Sequence, residues 1–120
     1  MSKSIAYDKA FDLAIEIVKF CRILKNEQKE FELSHQLLKS GTSIGANLAE
    51  ANGAISKADF SSKVSIAYKE TLENKYWLEL LKEVDLIDKL QFDNLFNKSD
   101  EFGRILFSIL KTTRMVNQTN

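Results

Sequence analysis

Ser40–Phe60, SGTSIGANLAEANGAISKADF, places three of the chain's four glycines inside an otherwise helical pattern. Gly41, Gly45, Ala49 and Gly53 recur every four residues. On a helix they form one ridge of small residues beside the apolar seam of Leu37, Ile44 and Leu48. Each interior glycine costs about 0.5–1 kcal/mol relative to alanine. Such a ridge is therefore expected where another helix backbone approaches closely, either within the chain or across a subunit contact. The stretch closes with Ser56-x-x-Asp59, a capping box that ends one helix and starts the next, with Ile55 and Phe60 placed as a hydrophobic staple.

Outward from this corner, apolar periodicity predicts four helices over residues 4–26, 30–54, 57–85 and 90–116. The chain of 120 residues has no proline, and the connections are short enough only for antiparallel neighbours. The expected architecture is all-α: a single domain, 1–120, forming an antiparallel up-down four-helix bundle. No strand pattern, low-complexity linker or internal repeat is present.

The first helix is unusually apolar. Between Ala10 and Leu24 eleven of fifteen residues are apolar, and Asp12, Glu16, Lys19 and Arg22 form one narrow polar stripe. Two seams result: Phe11, Ala14, Val18, Cys21, and Ala10, Leu13, Ile17, Phe20, Leu24. One bundle needs only about three apolar positions in seven. The reading assigns the first seam to the core and Leu13, Ile17, Phe20 and Leu24 to an interface between subunits, with crowded internal packing as the alternative. The expected state is a homo-oligomer.

In the third helix Glu70 and Glu73 fall between two apolar seams. Buried carboxylates need donors or cations, and Asn47, Lys63 and Asn74 are the candidates for a structural polar network. In the fourth helix Phe92, Leu95, Phe96, Phe102, Leu106, Ile109 and Leu110 read as core, with Gly103 marking a second close approach.

The run Ser43-Ile44-Gly45-Ala46-Asn47-Leu48-Ala49-Glu50, followed by Ser56, Asp59-Phe60, Ala67 and Glu73, resembles the four helix bundle proteins of the 23S rRNA intervening-sequence family. That family is related to the accessory variability determinants of diversity-generating retroelements. The resemblance extends from Tyr7 to Arg114. It implies a short non-enzymatic bundle, in some members a homopentameric barrel, and in the accessory members nucleic-acid binding beside a reverse transcriptase. The motif residues it marks are Ser43, Ile44, Asn47, Glu50, Asp59, Phe60 and Glu73.

Seventeen basic and seventeen acidic residues cancel, so no global field draws the protein to nucleic acid or anionic lipid. Binding to RNA or DNA would have to be local. Lys19, Arg22 and Lys25 continue the polar stripe of the first helix, and Arg104, Lys111 and Arg114 stand in an acid-free terminal segment. Cations at helix C-termini are also favoured by the helix dipole, and no aromatic residue is expected to interleave with them as a stacking platform requires.

Catalysis has no visible carrier. Glu32-x-x-His35 matches half of a di-metal carboxylate site, but such a site uses two of these elements and His35 is the only histidine. No phosphate loop, dinucleotide fingerprint or zinc spacing is present. Neither cofactor nor metal is expected. Cys21 reads as a buried, inert thiol. The N-terminal MSKSIAYDKAF lacks the apolar core of a signal peptide, and no apolar run approaches the length of a membrane span. The expected location is cytoplasmic. The expected partners are further copies of the chain, RNA or DNA, or another protein.

Overall fold

A computed structural model describes residues 5–119, and side chains as far as residue 113. Its four helices are α1 (Ile5–Gln28), α2 (Glu32–Asn52), α3 (Lys57–Glu83) and α4 (Lys89–Thr119), and no strand occurs among the described residues. Their bounds fall close to those expected from periodicity.

The start and stop signals are local. Ser56 Oγ accepts from Asp59 N–H at 3.0 Å, and Asp59 Oδ2 accepts from Ile55 N–H at 3.2 Å. The capping box at the head of α3 thus forms, reaching one residue further back than the simplest version. The staple does not: Ile55 is 92% exposed. At the end of α3, Leu86 N–H donates to Leu81 O and Asp85 N–H to Lys82 O, with Asp85 at φ 60°. This is a Schellman motif built on a non-glycine residue. Asp88 opens α4 by accepting from Gln91 N–H at 2.7 Å.

Each helix packs on its sequence neighbour, α4 closes more lightly on α1, and the diagonal pairs do not meet. All four contacts run antiparallel. Cys21 and Ile17 of α1 meet Ser34 and Gly41 of α2. Ser40 and Glu50 of α2 meet Asn74 and Lys63 of α3. Lys82, Lys75 and Tyr68 of α3 meet Phe92, Asp100 and Phe107 of α4. Finally, Glu16 and Lys9 of α1 meet Lys98 and Glu101 of α4. The result is an up-down bundle about 52 Å long and 24 by 21 Å across.

The seam placed at a subunit interface by sequence lies in the core. Leu13, Ile17 and Leu24 are buried to 1% exposure or less, Phe20 is buried, and Ala10 is fully enclosed. The outward face of α1 instead carries Phe11, 54% exposed, with Ile15 also exposed and Ala14 and Val18 half-buried. Of the supposed inner seam only Cys21 is buried. The physical reason lies in α2: a Cβ at Gly41 would stand 2.5 Å from Ile17 Cδ1, and one at Gly45 3.6 Å from Ala10 Cβ. The glycines accommodate the Ala10–Ile17 seam, so it faces inward. The small-residue ridge is correspondingly shorter than its spacing suggests, because Ala49 is exposed and Gly53 is the C-cap of α2, near only its own backbone.

Candidate functional site

The motif residues hold the α2–α3 hairpin together. Ile44 is fully buried. Ser43 donates to Lys39 O at 2.6 Å and Asn47 to Ser43 O at 2.8 Å, so both bond the backbone of their own helix. Glu50 pairs with Lys63 at 3.0 Å across the corner that Asp59 caps, and Phe60 is half-buried against the core. Glu73 is exposed and accepts from Trp77 Nε1 at 3.3 Å. These seven residues do not converge on a cavity.

The buried polar network exists, but with other members than the two glutamates. Glu70 is half-buried and Glu73 exposed, whereas Asn74 and Thr71 are fully buried. Asn74 Nδ2 donates to Ser99 Oγ at 2.8 Å, Ser99 donates onward to Leu95 O, and Ser40 Oγ lies 3.2 Å from Asn74 Oδ1. Thr71 turns its hydroxyl back to Ala67 O at 2.8 Å. One amide thus ties α2, α3 and α4 at mid-height, and among the described residues no buried side-chain nitrogen or oxygen lacks a partner. Burial pushes the Glu70 carboxyl above its ordinary range and the neighbouring Glu73 adds to this, with Lys39 opposing.

The basic residues singled out by sequence do not form one patch. Lys9–Glu101 and Glu16–Lys98 fix α1 against α4. Arg22 then lies level with the beginning of α4, about 20 residues from Lys111, or about 30 Å along the bundle at 1.5 Å per residue. Lys19, Arg22 and Lys25 are exposed at one end, with Lys19 close enough to Glu16 to help hold that carboxyl ionised. Arg104 and Lys111 are exposed towards the other, and Arg104 pairs with Asp100. The Arg114 side chain lies outside the described residues.

What sequence reasoning missed is a groove between α3 and α4, about 350 Å³ in volume, lined by Tyr68, Leu72, Lys75, Asp100, Gly103, Arg104 and Phe107. Phe107, 49% exposed, stands on α4 between Arg104 and Lys111, and its ring lies 6.0 Å from that of Tyr68. Aromatic and basic side chains therefore do interleave here, contrary to the sequence expectation. Lys75 Nζ reaches Asp100 at 2.7 Å and lies 5.3 Å from the centre of the Phe96 ring. The hydrogen bond from Lys75 holds the Asp100 carboxyl below its ordinary range, with desolvation opposing and Arg104 adding to the lowering. One acid between two cations leaves the groove net basic. Sequence could not reveal it, because Tyr68 and Phe107 come together only through the α3–α4 register.

The outward edge of α1 carries a second exposed cluster. Tyr7 and Phe11 stack with ring centres 6.2 Å apart, and Asp8 and Asp12 line the same shallow surface depression. This edge is apolar and acidic.

His35 is exposed, and Cys21 is buried with its thiol donating to Ser34 O at 3.4 Å while Ser34 Oγ donates back to Cys21 O at 3.1 Å. Burial pushes the thiol up to about 11, with the hydrogen bond to Ser34 opposing. Among the described residues no helix is long and apolar enough to cross a membrane, and no group of three or more His, Cys, Asp or Glu is placed to hold a metal ion.

Residues 2–108 match the model of a family described as 23S rRNA-intervening sequence protein. A crystal structure of a protein of unknown function from the S23 ribosomal protein family of Bacteroides thetaiotaomicron is similar throughout. It shares 47% sequence identity with a TM-score of 0.88, and the alignment covers 92% of this chain and 99% of that one. No curated protein matches the sequence.

Proposed function

This chain belongs to the 23S rRNA-intervening sequence protein family, and on that premise we propose that it acts by contact: a non-catalytic, self-associating bundle that serves as a scaffold in the cytoplasm. The observation that carries the reading is the pair of apolar clusters left in water, one on α1 and one on α3 and α4. Phe11 and Ile15 are exposed on α1, and Leu72 and Phe107 on α3 and α4. Contiguous exposed apolar surface of this kind marks interaction sites in soluble proteins. The family resemblance implies five copies. Light scattering on a size-exclusion column tests the reading: it expects a closed oligomer, five times the 13.7 kDa chain mass for a pentamer. A monomeric mass at micromolar concentration would overturn it.

A second reading, an RNA- or DNA-binding accessory protein of ribosomal-RNA or reverse-transcriptase type, draws support from Phe107 standing between Arg104 and Lys111. Bases stack on exposed aromatic rings while cations hold phosphates. A pull-down from lysate with and without nuclease separates the two readings. Partners lost on nuclease treatment favour nucleic acid, and partners retained favour a protein scaffold.

A further inference from the structure

We propose that the α3–α4 groove docks a different protein through a short acidic segment, about two helical turns long, that carries one bulky apolar anchor flanked by Asp or Glu. This rests on the reading that the bundle acts by contact, and names the chemistry of a partner other than a second copy.

Three observations converge on that occupant. The first is length. Tyr68 and Lys75 of α3 stand opposite Phe107 and Asp100 of α4, so the groove runs about 10 Å along the hairpin at 1.5 Å per residue. Two turns of a third helix fill it, laid between the pair as an amphipathic helix lies in a groove.

The second is the floor. Leu72 and Phe107 are 45% and 49% exposed, and Gly103 lines the groove beside them without a side chain. Core packing does not require that glycine. A Cβ there would meet Thr71 Cγ2 at 3.8 Å, an ordinary van der Waals contact, whereas one at Gly41 would collide with Ile17 at 2.5 Å. A glycine inside a helix lowers its stability. Here the absent side chain deepens the slot between Leu72 and Phe107, where an aromatic or leucine anchor packs against the Tyr68 and Phe107 rings.

The third is charge. Lys75 and Arg104 line the groove against the single acid Asp100, which pairs with both, and Lys111 stands exposed one turn beyond Phe107. Arg104 is largely exposed, and a guanidinium has five N–H donors, so it can hold Asp100 and a partner carboxylate together. Cations thus bracket the apolar slot at both ends and match an anchor with an acid on either side. A nucleic-acid strand fits less well. Asp100 interrupts the line of cations where a phosphate would lie, and the chain's charges cancel overall, so no extended field draws a polyanion.

The test selects a phage-displayed library of random peptides on the intact chain and measures the enriched peptides by fluorescence anisotropy. They are expected to carry Asp or Glu around Phe, Trp or Leu and to bind less tightly as salt rises. Phe107→Ala, and separately Arg104→Glu with Lys111→Glu, should each weaken them at least about ten-fold while keeping wild-type helicity by circular dichroism. No enrichment, enrichment of neutral or basic peptides, or binding that survives these substitutions overturns the proposal. Gly103→Ala separates groove from core: it should raise the urea midpoint of unfolding yet weaken the selected peptides, because a methyl group enters the slot. Unchanged affinity places the anchor elsewhere, and a lowered midpoint assigns the glycine to the core; either result overturns the proposal.

Two further arms fix the occupant. If wild type is oligomeric by light scattering and Phe107→Ala dissociates it, a second copy fills the groove, so the docking proposal fails while self-association stands. A labelled mixed-sequence RNA oligonucleotide bound more tightly than the selected peptides, and lost in Phe107→Ala, makes the groove a nucleic-acid site and likewise overturns the proposal. A monomeric wild type that binds acidic peptides through Phe107 sinks the self-association reading and leaves the docking proposal intact.

Discussion

A Cβ added to Gly41 would lie 2.5 Å from Ile17 Cδ1 and 3.0 Å from Ile17 Cγ2, so the α1–α2 contact is closed at one point by the absence of a side chain. Four residues on, the same helices are looser, with 3.6 Å available at Gly45. Gly41→Ala and Gly45→Ala should therefore separate. Ile17 is fully buried, so overpacking at Gly41 should outweigh the helix-propensity gain and cost about 1 kcal/mol net. Gly45→Ala should be neutral or stabilising by up to about 1 kcal/mol. Urea denaturation midpoints check both. Equal effects would mean that the ridge relaxes as a unit.

Asn74→Ala should cost about 2–3 kcal/mol, since it removes the hydrogen-bonding hub between Ser40 and Ser99 and leaves a cavity at a fully buried site. The serines retain bonds to Leu37 O and Leu95 O, which limits the penalty. Asn74→Leu keeps the volume and should be milder. Equilibrium unfolding of both variants distinguishes loss of packing from loss of the amide.

Two carboxylates give opposite pH signatures. For Glu16, burial pushes the carboxyl up, but hydrogen bonds from Lys98 and Asn94 outweigh it and hold the group below its ordinary range. Its folded value is thus depressed, so it contributes stability at neutral pH that is lost as pH falls through the ordinary carboxylate range and below. Glu70 is raised by burial and by Glu73, so its charge opposes folding at neutral pH and the opposition fades as it protonates. Glu16→Gln should flatten the acid limb of the stability profile and lower the plateau. Glu70→Gln should raise stability at pH 7 and have no effect in acid. Thermal melts across pH 3 to 8 check both signs.

Cys21 should resist thiol reagents in the native state. With its thiol pushed up to about 11 by burial, almost no thiolate exists at neutral pH, and the sulfur is covered by the α1–α2 contact. Labelling by a disulfide reagent should follow bundle opening and accelerate with urea. Rapid stoichiometric labelling in buffer would show that α1 and α2 separate readily.

The four helices were legible because the apolar periods of residues 4–26, 30–54, 57–85 and 90–116 run without proline and stop at capping signals. The inward face of α1 was misread because both seams are apolar. The needed signal was present: the polar stripe of Asp12, Glu16, Lys19 and Arg22 lies opposite Ala10, Ile17, Cys21 and Leu24 on a helix, and the core follows that opposite face. Similarly, Asn74 and Thr71 continue the three-and-four spacing of Val64, Ala67, Leu78 and Leu81, but the sequence reading makes Asn74 only a candidate partner for Glu70 and Glu73 and does not include Thr71. The α3–α4 groove was not legible at all. It depends on which turn of α4 faces which turn of α3, and no local pattern encodes that register.

The light and largely polar closure of α4 on α1 has a kinetic consequence. The three other seams join helices consecutive in the chain, so each closes a short loop, and such low-contact-order hairpins form quickly. The α1–α4 seam closes the longest loop and carries Lys9–Glu101, Glu16–Lys98 and Glu16–Asn94 at its exposed edge. It should be last to form on folding and first to part on excitation, with α2–α3 as the most protected unit in native-state hydrogen exchange. The bundle then breathes along a single long edge, and the amides of α1 and α4 exchange through partial openings that leave the central hairpin intact.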